Sequence, residues 1–477
     1  MQKQRAIERS WLLVAGITAA SLMLLAPAPD GLSEAGKQAA ILGALMAFLW
    51  VTETIPLAAT ALIPLAAFPL AGVETLETTA QSYSHPLIIL FLGGFMLGAA
   101  MERWQLHHRL ALLAISVSGR SPTMLVLGMM SATAFLSLWV SNTATAMVMV
   151  PIAASLVASG RGDTGAHAGD QFAPALMLGV AFAATIGGMG SLIGTPPNAL
   201  FAGFVEKSYG VTVGFAQWMV IGIPIVLVLL PLTWLILTRF VFRLSKEEIP
   251  ASALPPEPGP MTRPERMVAA VLVLVALTWV VRPILAEALG FAALTDAGVA
   301  ITGVLALFLM PARWRGDRGL ITWDEVKAIR WDVLILFGGG LALAGAIAST
   351  GLATWIGESM SGLRHIPIML LVLAMMIVIV YLGELASNTA VAAVFLPVAG
   401  AAAAGLGADP LALLLPVALA ASLGFMLPVA TPPNAIVYGT GAVTARQMLK
   451  AGALLDVVSI LIVFALALLL GPFVLAR

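Results

Sequence analysis

Two short polar strings interrupt an apolar chain: Ser141-Asn142-Thr143-Ala144 and Ser387-Asn388-Thr389-Ala390. Two proline breaks accompany them, Gly194-Thr195-Pro196-Pro197-Asn198 and Ala430-Thr431-Pro432-Pro433-Asn434. Hydroxyl and amide oxygens ligate a hard cation without adding charge, and the matching O–H and N–H groups donate to an anion. Carbonyls freed at the C-terminal end of a broken helix suit a cation such as sodium. N–H groups at a half-helix N-terminus suit an anion. A pocket walled by these breaks could therefore hold sodium ions beside an anion, each lowering the cost of the other. The plainer use of such residues is to glue membrane helices together by hydrogen bonds. Duplication of both motifs favours a site.

The elements around them must be membrane helices. Of 477 residues, 60% are hydrophobic and only 10% charged, and the mean hydropathy is +1.01. Crossing a hydrocarbon core of ~30 Å takes roughly 20 helical residues, and several runs here reach that length. The runs are continuously apolar, which excludes a β-barrel of short alternating strands. Cysteine is absent, so disulfides and thiol chemistry are excluded. A net charge of zero argues against nucleic acid as a partner. No HExxH string and no clustered Asp/Glu pair occurs within a span, which argues against an intramembrane enzyme. The basic and then apolar start has the look of a signal peptide, but it serves equally well as an uncleaved first span.

Crossings are expected near 11–28, 37–51, 56–71, 86–101, 172–205, 213–240, 267–286, 296–311, 332–351, 410–442 and 453–475. The segments 121–157 and 366–402 carry the SNTA strings at their centres and read as hairpins that enter and leave on one side. Paired prolines break the spans at 172–205 and 410–442. With the N-terminus in the cytoplasm, 19 of 24 basic residues fall inside, including Arg161 and those of the 239–266 and 313–330 linkers. Lys37, Lys207, Arg282, Arg364 and Arg477 fall outside, so the C-terminus is expected outside the cell membrane. The stretch 244–266 is a polar, proline-rich linker.

The chain also repeats itself. Offset by 246, residues 125–153 match 371–399 at 14 of 29 positions, and LFLGGFML (90–97) falls on LFGGGLAL (336–343). An offset of 236 lays GTPPNA on ATPPNA. Five crossings separate the two SNTA strings, and an odd number inverts the second copy, the architecture that secondary transporters build around a midplane site. The organisation expected is a first span and scaffold (1–120), a site-bearing hairpin and broken helix (121–212), a connecting span, linker and second scaffold (213–365), and a second hairpin, broken helix and last span (366–477).

SNTATA, GTPPNA, SNTAVA, LPVATPPNA and the early WVTETIPLAATALIPL together resemble the divalent anion/sodium symporter family, bacterial relatives of the mammalian sodium–dicarboxylate and citrate cotransporters. The likeness covers nearly the whole chain. It implies an all-α fold of eleven transmembrane helices and two re-entrant hairpins, a homodimer, and an elevator-type motion that imports C4-dicarboxylates with sodium and performs no catalysis. Sodium-independent exchange, or a citrate or sulfate substrate, is the alternative. By position, the resemblance puts one sodium at Ser137, Ser141, Asn142 and Gly194. A second falls to Gly383, Ser387, Asn388 and Ala430, where Gly383 replaces a hydroxyl. Substrate carboxylates would meet Asn142, Thr143, Thr195, Asn388, Thr389, Thr431 and Pro432. Glu384, an intramembrane carboxylate, is a candidate for proton or cation coupling. Glu53 reads as interfacial, and His107 and His108 as facing water.

Overall fold

The computed structural model describes residues 2–160, 171–244, 248–249, 254, 258–290, 293–313, 319–360, 362 and 364–475. Arg161, Arg477 and parts of the 239–266 and 313–330 linkers lie outside the described residues. Those described form helices, with a single isolated bridge between Pro311 and Gly319.

The chain begins with α1 (Gln2–Leu25), α2 (Glu34–Thr52), α3 (Leu57–Thr60) and α4 (Ile63–Leu70). Next come α5 (Leu76–Gln81), α6 (Pro86–Arg103), α7 (Leu106–Val117), α8 (Pro122–Ser137) and α9 (Asn142–Gly160). They are followed by α10 (Phe172–Met189), α11 (Pro196–Tyr209) and α12 (Phe215–Leu235), which runs into a π-helical turn at Ile236–Val241. The connectors are α13 (Arg263–Leu289) and α14 (Asp296–Leu309). The last run is α15 (Trp323–Lys327), α16 (Trp331–Ser349), α17 (Leu352–Ser359), α18 (Ile368–Gly383), α19 (Asn388–Leu406), α20 (Pro410–Ala420), α21 (Pro432–Gly439) and α22 (Ala445–Leu475). Elements α5 to α12 thus recur in order as α15 to α22. The sequence repeat is a structural repeat.

Among the described residues, eight helices are long and apolar enough to cross a membrane. The other expected crossings are shorter. Pro56 caps α3, and Pro64 opens α4, so the apolar run 56–71 divides into two short helices. Proline likewise parts α20 from α21. Within the SNTA segments, α9 and α19 are each 19 residues long, and α19 is among the eight.

Helix α10 is the centre of the site-bearing bundle. It is buried along its whole length and packs against α8, α9, α12 and α21. Hydrocarbon gains little by leaving lipid for another helix, so such packing depends on close approach. Gly187 supplies it: a Cβ there would collide with the Ala134 backbone of α8. On the outside, α13 has only 22% of its span buried and turns Val273, Leu274, Leu277 and Ile284 outward. Helix α1 packs against α2.

One sequence expectation is corrected. His107 is only 6% exposed, in the first turn of α7. Burial and the charge of neighbouring His108 push its imidazole down to about 4, so it is neutral at physiological pH. Its neighbour is exposed as expected. Glu53, exposed at the end of α2, caps that helix in a left-handed conformation (φ 45°) and also lines the main cavity.

Candidate functional site

Four helix N-termini converge on one cavity of about 610 Å³. They are the starts of α9 and α19, each just after an SNTA turn, and of α11 and α21, each at a TPPN break. The prolines at 196–197 and 432–433 occupy the first two helical positions, where a missing N–H costs nothing. Those two ends therefore present a dipole and a threonine hydroxyl but few N–H donors. At the SNTA ends the first N–H groups are retained, free of intrahelical partners by position. The hydrogen-bond donors facing the cavity divide accordingly: backbone amides at the SNTA turns, threonine hydroxyls at the breaks.

Of the residues expected from sequence, Ser141, Asn142, Thr143, Gly194, Thr195, Ser387, Asn388, Thr389, Ala430, Thr431 and Pro432 all line this cavity. Ser137 and Gly383 stand behind its wall. Glu384 is buried away from it, at 1% exposure.

Behind the first tip lies a cluster of oxygens. Ser137 Oγ is 2.7 Å from both Asn142 Oδ1 and the Ala184 carbonyl. Asn142 Oδ1 in turn faces the carbonyls of Ala184 (3.1 Å) and Gly194 (3.3 Å). An amide turned over would donate its nitrogen to these oxygens, whereas an amide oxygen kept there needs a cation among them. Gly188 makes the space, since a Cβ on it would run into the Asn142 amide.

The second tip repeats this with less polarity. Ideal Cβ atoms on Gly383 and Gly424 would stand 3.6 and 3.7 Å from Asn388 Oδ1, which has no hydrogen-bond partner. Gly424 is the counterpart of Gly188, and Ala430 of Gly194. The hydroxyl of Ser137 has no equivalent, because position 383 carries no side chain.

One pair of residues in both breaks escaped the sequence reading. Asn198 Nδ2 donates to the carbonyls of Gly188 (3.1 Å) and Ser191 (2.7 Å). Asn434 Nδ2 donates to the equivalent carbonyls of Gly424 (3.3 Å) and Leu427 (3.0 Å). Each asparagine closes the non-helical strand before its own helix, and both are fully buried. The signal was the last letter of TPPN, legible as a repeat but not as a brace.

Arg330 was likewise missed. It lines the main cavity and also a smaller one of about 230 Å³. The smaller cavity shares Phe95, Ser141, Thr143 and Arg330 with the first and continues toward Glu102 and Glu325. Arg330 pairs with Asp332 at 2.8 Å while remaining half-exposed. Nearby, Glu325 caps α15 from Thr322 and meets Arg103 at 3.1 Å. Burial alone would raise its carboxyl, but the Thr322 hydrogen bonds and the Arg103 charge hold it below the usual range.

A cavity reached by the N-termini of four broken or re-started helices in a polytopic chain is the architecture of a membrane transporter. The sequence relationships say which kind. Residues 7–476 match the family model described as the sodium:sulfate symporter transmembrane region, and the chain belongs to that family. It is a transporter and not an enzyme. It is 38% identical, over 94% of its length and 89% of the relative's, to a protein of Staphylococcus saprophyticus named sodium-dependent dicarboxylate transporter SdcS. It is 39% identical to the protein of that name from Staphylococcus aureus strain USA300, over 89% and 84% of the two chains. Among solved structures, the Alcanivorax borkumensis YdaH transporter aligns at a TM-score of 0.54 and 16% identity, covering 83% of this chain and 87% of that one. Neisseria gonorrhoeae MtrF aligns at 0.55 and 12%, covering 97% and 94%. These two share the fold.

Proposed function

We propose that this chain is a sodium-coupled secondary transporter that imports C4-dicarboxylates such as succinate, malate and fumarate. The observation that carries the reading is the paired arrangement at the cavity. Each SNTA turn places a helix N-terminus at the cavity with an asparagine amide behind it, beside the Ser137 hydroxyl and the Ala184 carbonyl at the first and without a hydrogen-bond partner on its Oδ1 at the second. The names of the Staphylococcus relatives support the same ion and substrate class. Substrate carboxylates meet Asn142, Thr143, Thr195, Asn388, Thr389, Thr431 and Pro432. One sodium is held by Ser137, Ser141, Asn142 and Gly194, with the Ala184 carbonyl added. A second is held by Gly383, Ser387, Asn388 and Ala430.

In this reading the protein is an inner-membrane homodimer with eleven crossings, two re-entrant hairpins in an inverted repeat, a cytoplasmic N-terminus and an external C-terminus. The site-bearing segments 121–212 and 366–477 move as an elevator against the scaffold. The cavity continues toward Arg330 and Glu325, residues of the linker assigned to the cytoplasm, which corresponds to an inward-open state. Two or more sodium ions per dianion make import neutral or inwardly positive, so the membrane potential assists by ~2.3 kcal/mol per charge per 100 mV. The test is labelled succinate uptake into proteoliposomes, with and without an inward sodium gradient, in competition with citrate and sulfate. Sodium-driven accumulation competed by malate and fumarate is expected. Uptake indifferent to sodium, with counterflow against internal succinate, would instead identify an exchanger.

A further inference from the structure

The two repeats differ sharply at one buried place. Gly222 of α12 and Gly452 of α22 are equivalent: a Cβ on either would strike the non-helical strand after α10 or α20, at Met189–Gly190 and Phe425–Met426 respectively. One turn further along, the same helix face carries Val226 in the first repeat and Asp456 in the second. Two turns along, Leu229 is replaced by Ser459. Opposite them Leu138 is replaced by Glu384, and Ile186 by Ser422. All eight side chains are buried. The first repeat thus makes this contact with hydrocarbon alone, and the fold does not need the polar set.

The polar set is also incompletely satisfied. Glu384 accepts three backbone amides, Phe425 N at 2.7 Å and Met426 N at 2.9 Å on Oε1, and Leu427 N at 2.8 Å on Oε2. Asp456 lies within reach of the Glu384 carboxylate and the Phe425 amide, yet neither of its oxygens has a well-formed hydrogen bond. The hydroxyls of Ser422 and Ser459 have no partner either. Thr133, Thr233 and Thr238, buried on other helices, each bond the carbonyl four residues back, a refuge open to Ser459 that it does not take. Among the described residues, no basic side chain pairs with either carboxylate. Among the elements packed on α22, α12 and α20 carry no ionisable group, α18 carries exposed Tyr381, and the π-helical turn carries exposed Arg239. Arg446 and Lys450 of α22 itself are exposed. Two buried carboxylates within reach of one another, with unpartnered hydroxyls on α22 and on the strand after α20, are oxygens lacking a compensating positive charge.

We infer that Asp456, Glu384, Ser422 and Ser459 form an additional alkali-cation site, separate from the substrate cavity and confined to the second repeat. Its occupant bridges the two carboxylates and so fastens α22 to the strand that leads into the second TPPN break. Naming the cation sodium rests on the sodium-coupled reading; the site does not. The experiment uses the purified full-length protein, melted in increasing NaCl against choline chloride, alongside sodium-dependent uptake. Wild type is expected to gain thermal stability with sodium, because a ligand that binds only the folded state stabilises it. Asp456→Asn should raise the half-maximal sodium concentration at least about tenfold, as loss of a ~1.4 kcal/mol charged contact would. It should also lower the sodium Hill slope of uptake. The double variant Glu384→Leu/Asp456→Val copies the first repeat, and it should be folded with the same sodium defect. Unchanged sodium dependence in both variants, with wild type sodium-driven, overturns the inference and leaves the transport reading intact. Unchanged sodium dependence together with a lost pH dependence overturns it in favour of a shared proton. A wild type stabilised by sodium but transporting without it would support the site and refute the coupling.

Discussion

The two hairpin tips have nearly the same backbone and very different chemistry. At the first, Ser137 brings a hydroxyl into the oxygen cluster, while Leu138 packs beside Val226 in hydrocarbon. At the second, Gly383 brings nothing, while Glu384 ties down three amides and faces Asp456. Polarity lost next to the cavity in the second repeat is present one step deeper. A repeated pair of motifs can thus keep the same backbone braces, Asn198 and Asn434, and divide the electrostatic labour unequally.

The comparison is broken most forcefully at what the tips share. Asn142→Ala and Asn388→Ala should each reduce succinate uptake by about 100-fold, the loss of charge-assisted contacts of ~2–3 kcal/mol at one site. Thermal melting should show both variants folded. Normal uptake in either would mean that the tips are not equivalent parts of one site.

Exchanging the asymmetric residue is the next test. Ser137→Gly should raise the sodium concentration for half-maximal uptake by about tenfold, on the scale of one lost ligand. Gly383→Ser should lower it several-fold, since a Cβ there meets nothing closer than 3.5 Å. A flux assay across sodium concentrations reads both. Equal effects of opposite sign would show that the second site is weak only for want of a hydroxyl.

Smaller effects belong to the periphery. Arg330→Gln should raise the KM for succinate about three- to tenfold and flatten its dependence on ionic strength, because a half-exposed charge steers more than it binds. Uptake kinetics at low and high potassium chloride would measure this. Smallest is a difference in stability between the breaks. Thr431 caps α21 by accepting the Asn434 amide, and Thr195 makes no such bond at α11. Thr431→Val should cost ~1 kcal/mol and lower the melting temperature, with Thr195→Val nearly silent.

Much of this site could be read along the chain. SNTA and TPPN are local strings at fixed offsets, and non-helical backbone in a membrane must line a cavity or be satisfied by protein. Eleven of the named residues accordingly meet at one cavity. The division of the 56–71 run was less legible, because proline splits it into two short helices that hydropathy averages together. His107 was misjudged for a related reason: distance from a span end does not determine which way a side chain turns.

The sequence by itself determined that this is a polytopic helical protein with two copies of one polar device, since apolar length and duplicated motifs are properties of the chain read in order. Tertiary structure alone decided what surrounds each copy. Ala184 reaches Ser137 from another helix, Arg330 reaches the cavity from a linker, and Asp456 reaches Glu384 from the last helix. No spacing encodes these meetings. They arise because small residues such as Gly187, Gly222 and Gly452 allow helices distant in sequence to approach closely, and close approach makes separate side chains into one site.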